Sequence, residues 1–448
     1  MMESLKFDVA VIGAGPTGLA AANGLKAAGK KVVVIEQYLW GGTCPNYGCD
    51  PKKLLLAGVE AREAALAFQD DGLQATVEID WPKLMERKNR YTQTVPTRTV
   101  ASLDASGIAH LYGKAEFIDA KQLKVTDGDT ETLVQASDYV LAVGQRPNAM
   151  TIPGAELTID SERFLSLAEM PDEMVIIGGG YIALEFASIA AAAGSKVHVL
   201  VRGSQVLKGF DADFAEELVE QLSDRGVHFY FDTEATAITK AGTNLKVELS
   251  FGTVLEVGVV VRAVGRQANS DRLALEKAGV DYNQHGVNVN EYLQTTNSHI
   301  FAAGDVANTP VARLTSTGGF EGRYVAQFIN GQTKAAIAYP PVPITVFGTP
   351  KIAAVGIPAD QAEAKGYTVK NFDMTNWYSY YRLAERKVLA KVVLNAAGEI
   401  VGATVLGSHA DELVNYFIDL INRHESDVTI QKHLYIYPSL ASDLGYLL

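Results

Sequence analysis

The chain has 448 residues, 48% hydrophobic and 20% charged, the make-up of a globular protein of several domains with room for large cores. A formal net charge of −13, with no basic run, argues against a protein that holds nucleic acid through its phosphates. The most apolar helical stretch, 186–193, is far shorter than the ~20 residues that span a bilayer, so no membrane segment is expected.

Residues 1–6 carry no charged-then-apolar leader, and the cytoplasm is the expected compartment. A short apolar run, 7–12, leads into a turn with Gly13, Gly15 and Gly18, then an alanine-rich helical stretch to Ala28 and a second apolar run ending at Glu36. Glycines in such a turn let the backbone and a helix N-terminus approach a pyrophosphate, and the acid accepts from an adenosine ribose. This reads as an FAD or NAD site.

The only two cysteines, Cys44 and Cys49, follow within one block, 41–53. A zinc site would want about four ligands, and no histidine lies near, so no metal is expected here. A redox pair is the better reading, although the spacing also admits two inert thiols. On a regular helix, residues five apart are separated by about 7.5 Å along the axis and roughly 140° around it, too divergent for a disulfide. The segment must therefore be distorted, and Pro45, Asn46 and Gly48 permit that. Pro51 suits the first turn of a following helix, which places Cys49 near a helix N-terminus beside lysines, where a thiolate is favoured.

Residues 78–110 read as helical with a break at Pro96, and 115–132 as short strands around an Asp127-Gly128 turn. A buried strand is expected at 140–144 and a linker at 147–154. The nucleotide unit then recurs: apolar 174–177, a turn with Gly178 and Gly180, a helix carrying Glu185, and a strand ending at Val201. Gly13 to Glu36 and Gly178 to Val201 both span 23 positions, so the acid of the first unit is replaced by valine in the second, with Arg202 next. Losing the acid while gaining Arg202 and Lys208 suits a ribose 2′-phosphate, hence NADPH, unless both cations are solvated surface charges. The run 259–265 repeats the earlier buried strand, 300–305 ends in Gly-Asp, and 314–327 reads as a helix. Prolines 340, 341, 343 and 350 mark a change of composition, and the last hundred residues read as a separate α+β domain.

Together the first turn with Glu36, the GGTCxNxGCxPKK block, the GxGYIAxEFA run and Ala303-Gly304-Asp305 resemble the class I pyridine nucleotide-disulfide oxidoreductases, in their glutathione reductase-like branch. The resemblance covers nearly the whole chain. It implies an α/β fold with two Rossmann-like dinucleotide-binding domains, for FAD and NADPH, plus a C-terminal α+β dimerisation domain. The expected bounds are 1–148 with 268–335 for FAD, 149–267 for NADPH, and 336–448 for the interface of a homodimer. It implies that Gly13, Gly15, Gly18, Glu36, Gly42, Thr43, Lys53, Gly144, Asp305 and Thr315 hold FAD. Gly178, Gly180, Tyr181, Ile182, Glu185, Arg202, Lys208 and Gly265 are implied for NADPH. Cys44 would be the interchange thiol, Cys49 the thiol facing the flavin, Lys52 and Glu185 an ion pair beside it, and Tyr181 its cover until nicotinamide arrives.

The resemblance fails in two places. The family's His-Pro-Thr, which supplies an acid/base residue, and the glutamate behind it are here Tyr437, Pro438 and Ser439, with Ser442 for the glutamate. A neutral tyrosine, with a reference pKa near 10, is far from the optimum for proton exchange at pH 7; His433 or Asp443 are the nearby substitutes. Mercuric reductases share the tyrosine but add a C-terminal cysteine pair, and no cysteine follows Cys49 here. Tyr91 and Arg323 match substrate contacts of glutathione reductases, whereas Asn23 and Thr99 replace an arginine and a tyrosine; Arg323 otherwise pairs with an acid such as Glu321. The expectation is an NADPH-dependent reductase of a small-molecule disulfide, glutathione disulfide first. The alternatives are a reductase of a metal ion or quinone, or a redox-sensing flavoprotein.

Overall fold

A parallel strand covered on both faces must be apolar at every position rather than at every second one. Val9, Ala10, Val11 and Ile12 meet that demand, and all four are buried. In the computed structural model, which describes residues 3–69, 71–74 and 76–447, they close strand Glu3–Ile12 in a seven-stranded sheet. Val32–Glu36 pairs with it in parallel on one side and Thr130–Leu141 on the other. Ala109–Tyr112 continues the sheet beyond Val32–Glu36, and the ribbon of Lys114–Asp119 and Gln122–Asp127 continues it antiparallel beyond Thr130–Leu141. Ile300–Ala302 pairs in parallel with the last residues of Thr130–Leu141.

Helix Pro16–Ala27 packs against helix Thr315–Ile329 at a separation only glycine permits. A Cβ on Gly322 would stand 2.4 Å from the Thr17 carbonyl oxygen, and one on Gly24 would stand 2.8 Å from Ala326 Cβ. These elements belong to one compact unit, residues 1–52, 87–148 and 266–339.

The helical region expected over 78–110 breaks earlier than at Pro96. Trp81–Thr92 ends first, and Pro96 falls in the opening turn of Val95–Ala105, where its missing N–H costs no hydrogen bond. From Ala109 the chain is already strand.

The second unit comprises residues 53–86, 149–265 and 340–448. Its parallel sheet runs Val227–Tyr230, Lys196–Leu200, Glu173–Ile177, Val259–Arg262. Helix Tyr181–Ala192 is mostly apolar and buried at eight successive positions, Ala183 to Ala190, among which Glu185 and Ser188 are the polar residues. Its Phe186 stacks on Phe164 with ring centroids 4.0 Å apart. The C-terminal part is a five-stranded antiparallel sheet with helix Ala410–Asn422, whose Leu413, Val414, Phe417 and Leu420 are buried. This is the α/β architecture with an α+β C-terminal domain that the sequence implies. No described helix is long and apolar enough to cross a membrane.

Candidate active site

Both glycine turns are built alike. Gly13 donates to the Ile35 carbonyl at 2.8 Å and Gly178 to that of Leu200 at 2.9 Å. A Cβ on either would stand 2.3 Å from a carbonyl oxygen, of Ala142 in one case and Ala263 in the other, and their φ values are +105° and +137°. Only glycine fits both demands. Each turn opens a helix, Pro16–Ala27 after Gly15 and Tyr181–Ala192 after Gly180, and neither N-cap residue supplies a side-chain cap. Uncapped N–H groups at the positive end of a helix dipole form an anion site.

The first turn has a neighbour. Gly42, at φ +72°, lies so close that a Cβ on it would stand 2.5 Å from Gly15 Cα. Gly41 donates to the Ala14 carbonyl at 3.1 Å. The cysteine block is thus docked, main chain to main chain, on the nucleotide turn. Glu36 accepts from the N–H groups of Ala14, Gln37 and Tyr38, each at 2.9 Å. A carboxylate offers about four acceptor sites, so one is left for a ligand hydroxyl. The uncapped helix, the glycine cradle and this carboxylate fit a dinucleotide.

The distortion required of the cysteine block is a helix break. Cys44 lies in helix Thr43–Tyr47 and Cys49 begins helix Cys49–Ala67, with Gly48 between them. A Cβ on Gly48 would come within 3.2 Å of Cys44 Cα, so the short helix folds back on the long one. Asn46 pins the fold-back by donating to the carbonyls of Trp40 at 3.0 Å and Gly42 at 2.8 Å. The two thiols are not joined in a disulfide, and both are half-buried. The hydrogen bond with Cys49, and then burial, raise the pKa of Cys44 well above the usual thiol range. Cys49 Sγ lies 3.5 Å from Thr315 Oγ1, at the start of helix Thr315–Ile329. Lys52 sits in the first turns of the long helix, and the Lys53 ammonium lies 4.0 Å from the centroid of the Phe347 ring.

Asp50 escaped the sequence reading. Its carboxylate accepts from the Tyr91 hydroxyl at 2.9 Å, and Cys44 Sγ points at its other oxygen from 3.9 Å. Tyr91, expected at the substrate, is therefore held on the cysteine block, and its pKa is raised, first by that hydrogen bond. Glu321, expected only as an alternative partner of Arg323, has another role. It is buried, accepts from the Gly304 N–H at 2.6 Å and the Tyr339 hydroxyl at 2.7 Å, and so fixes the turn that presents Asp305. Burial raises the pKa of Asp305, opposed by Arg266 and Arg313. Because Glu321 is engaged there, it is not the partner of Arg323, which is exposed on the same helix. Gly144, at φ +65°, faces open space. Asn23 is exposed, and Thr99 donates to its own helix at Val95.

In the second unit nothing stands within 4 Å of where a Cβ on Gly180 would be. Tyr181, Arg202 and Lys208 are exposed, Ile182 is half-buried and Gly265 has φ +93°. Glu185, only 1% exposed inside the apolar helix, accepts from the Phe347 N–H at 2.8 Å. Tyr437 is 69% exposed and stacks on Tyr378. Ser439 caps the helix Leu440–Tyr446, and Ser442 completes the capping box by accepting from the Ser439 N–H. Asp443 is buried, which raises its pKa, and exposed His433 lies 3.6 Å from Glu425. No described cluster of three or more His, Cys, Asp or Glu residues is able to hold a metal ion.

The family model described as pyridine nucleotide-disulphide oxidoreductase matches residues 7–328, and that family's dimerisation domain matches 342–447. A glutathione reductase of Burkholderia cepacia is 32% identical over 99% of this chain and 98% of its own. A dihydrolipoyl dehydrogenase of Chlamydia muridarum is 30% identical over 97% of this chain and 94% of its own. Among solved structures, the Cu(II) complex of the HOCl-induced flavoprotein disulfide reductase RclA from Escherichia coli superposes with a TM-score of 0.90 at 27% identity, covering 99% of both chains. The chain belongs to the pyridine nucleotide-disulphide oxidoreductases: it is an NAD(P)H-dependent flavoprotein enzyme, with FAD and NADPH as cofactors.

Proposed function

We propose that this enzyme reduces a small-molecule disulfide with electrons from NADPH, through Cys44 and Cys49. The observation that carries the reading is the pair of hydrogen-bonded thiols on two folded-back helices, docked on the nucleotide turn through Gly42 and Gly15. FAD supplies the two-electron relay between nicotinamide and disulfide. Gly13, Gly15, Gly18, Glu36, Gly42, Thr43, Lys53, Gly144, Asp305 and Thr315 bind it, the glycines through main chain and Glu36 through its remaining acceptor site. Gly178, Gly180, Ile182 and Gly265 shape the second cradle, where Arg202 and Lys208 grip the 2′-phosphate and Tyr181 covers the nicotinamide site. Lys52 and Glu185 tune the transfer of electrons. Cys44 attacks the acceptor, and Cys49 resolves the mixed disulfide.

The domain division of this reading is 1–148 with 268–335, 149–267, and 336–448. The last forms a homodimer, an arrangement favoured by the exposed Leu434, Ile436 and Tyr437 beside one another. Tyr91 and Arg323 are assigned to the acceptor side. A second reading, reduction of a metal ion such as copper, is favoured by Tyr437 in place of histidine and by the Cu(II) complex of the RclA neighbour. Steady-state NADPH oxidation with glutathione disulfide, other small disulfides, Cu(II), Hg(II) and quinones decides between them. A preference for a disulfide, lost in Cys44→Ser, supports the first reading; equal or faster turnover with metal or quinone sinks it.

A further inference from the structure

We propose that Asp50 is the proton acceptor and donor of the interchange thiol, taking the role for which the chain has no histidine at position 437. This rests on the disulfide-reductase reading above. Three observations converge. Asp50 Oδ1 is the acceptor to which the Cys44 thiol points, at 3.9 Å. The other oxygen, Oδ2, is held at 2.9 Å by the Tyr91 hydroxyl, which fixes the carboxylate and leaves Oδ1 turned to the sulfur. Asp50 also lies in the first turn of the helix that Cys49 begins, so the carboxylate and the Cys49 thiol share one helix, against which the short helix of Cys44 folds back.

The chemistry needs such a group. A thiol attacks a disulfide only as a thiolate, and the neighbours of Cys44 disfavour that form: the hydrogen bond with Cys49, then burial, then the charges of Cys49 and Asp50. The free thiolate is therefore scarce, and attack must be coupled to transfer of the proton. In the step proposed, the Cys44 Sγ–H proton passes to Asp50 Oδ1 as Sγ bonds to one sulfur of the acceptor R–S–S–R. The S–S bond of the acceptor breaks, and the leaving RS⁻ takes the proton back from Asp50. The Cys49 thiolate then attacks Cys44 Sγ, forming the Cys44–Cys49 disulfide and releasing a second RS⁻ that is protonated by water. The acceptor gains two electrons and the dithiol loses two. The ionisable groups acting on this centre are Cys44, Cys49 and Tyr91, with Arg98 acting on Tyr91.

The test is a single-turnover measurement on the FAD-loaded protein, reduced beforehand, mixed with 4,4′-dithiodipyridine, a neutral disulfide that any thiol attacks; glutathione disulfide is run in parallel. Asp50→Asn keeps the size and an acceptor for Tyr91. Thiol release from it should be slower by about 10²-fold near pH 7, and should then rise about tenfold per pH unit as Cys44 ionises unaided. The unaltered protein should show a nearly flat rate over the same range, and Asp50→Glu should restore a flat profile at a reduced rate. Bleaching of bound flavin by NADPH should persist in both variants. An Asp50→Asn rate equal to or above that of the unaltered protein overturns the proposal, since the carboxylate would then only repel negative charge from the thiol. Identical pH slopes with and without Asp50 overturn it too. Should Asp50→Asn fail to fold, the Asp50→Glu profile decides, a tenfold slope refuting the proposal. Failure with glutathione disulfide and every other natural disulfide, alongside the expected Asp50 effect on dithiodipyridine, refutes the reading of the substrate and leaves the proton role standing.

Discussion

The two nucleotide turns share their hydrogen bonds, their strained glycine and their helix, and differ in what faces them. The first is closed by the main chain of the cysteine block, with Gly42 pressed on Gly15, and ends in an acid that accepts from three N–H groups. The second is open at Gly180 and ends in exposed cations, Arg202 and Lys208. One local fold thus makes a closed cradle suited to a resident group and an open one suited to a partner that comes and goes. Neighbours 20 to 30 residues away, not the turn itself, decide which.

Substitutions on the two sides separate these roles. Cys44→Ser touches only the block behind the first turn; disulfide turnover should fall by at least about 10³-fold while NADPH still bleaches the flavin. Retained turnover would detach the block from the reaction. Gly42→Ala is next: at φ +72° and 2.5 Å from Gly15 Cα, the new methyl group must move main chain, and flavin content per chain should drop about tenfold. Gly180→Ala, with nothing near, should keep its flavin, and equal losses from the two changes would remove the contrast. Replacing Arg202 and Lys208 together by alanine should raise the KM for NADPH by about 10-fold to 100-fold and leave that for NADH nearly unchanged. The mildest change is Glu36→Gln, where one acceptor oxygen stays; the affinity for FAD should weaken by about threefold, read by titrating apo-protein with the cofactor.

The parts of this molecule legible in the sequence are those encoded within a window of some twenty residues. Strand, glycine turn, helix and second strand repeat at equal spacing, and two cysteines five apart demand a break that Gly48 supplies. Asp50 with Tyr91 is different: the two side chains are 41 residues apart, and neither residue type in isolation signals its partner. Glu321 is hidden for another reason, because its partner at Gly304 is a main-chain N–H that leaves no mark in the sequence. Asp50 stands in the most informative stretch of the chain, yet a carboxylate there has an ordinary alternative, the acidic first turn of a helix. Pro96 shows the same limit locally. A proline ends one helix or begins the next, and only the phase of the neighbouring turns tells which.

The contact of Gly42 with Gly15 has a consequence for how such a protein changes over generations. It is made from main chain on both sides, with Asn46 holding the Gly42 carbonyl and Glu36 the Ala14 N–H. Apart from those two, residues around the glycines are free to drift, and the acceptor side can be rebuilt for new chemistry, without displacing the sulfur atoms from the nucleotide turn. The constraint is one-sided: a side chain at Gly42 would need a shift in the backbone of Gly15, whereas a Cβ on Gly15 would meet Gly42 Cα at an ordinary 3.9 Å.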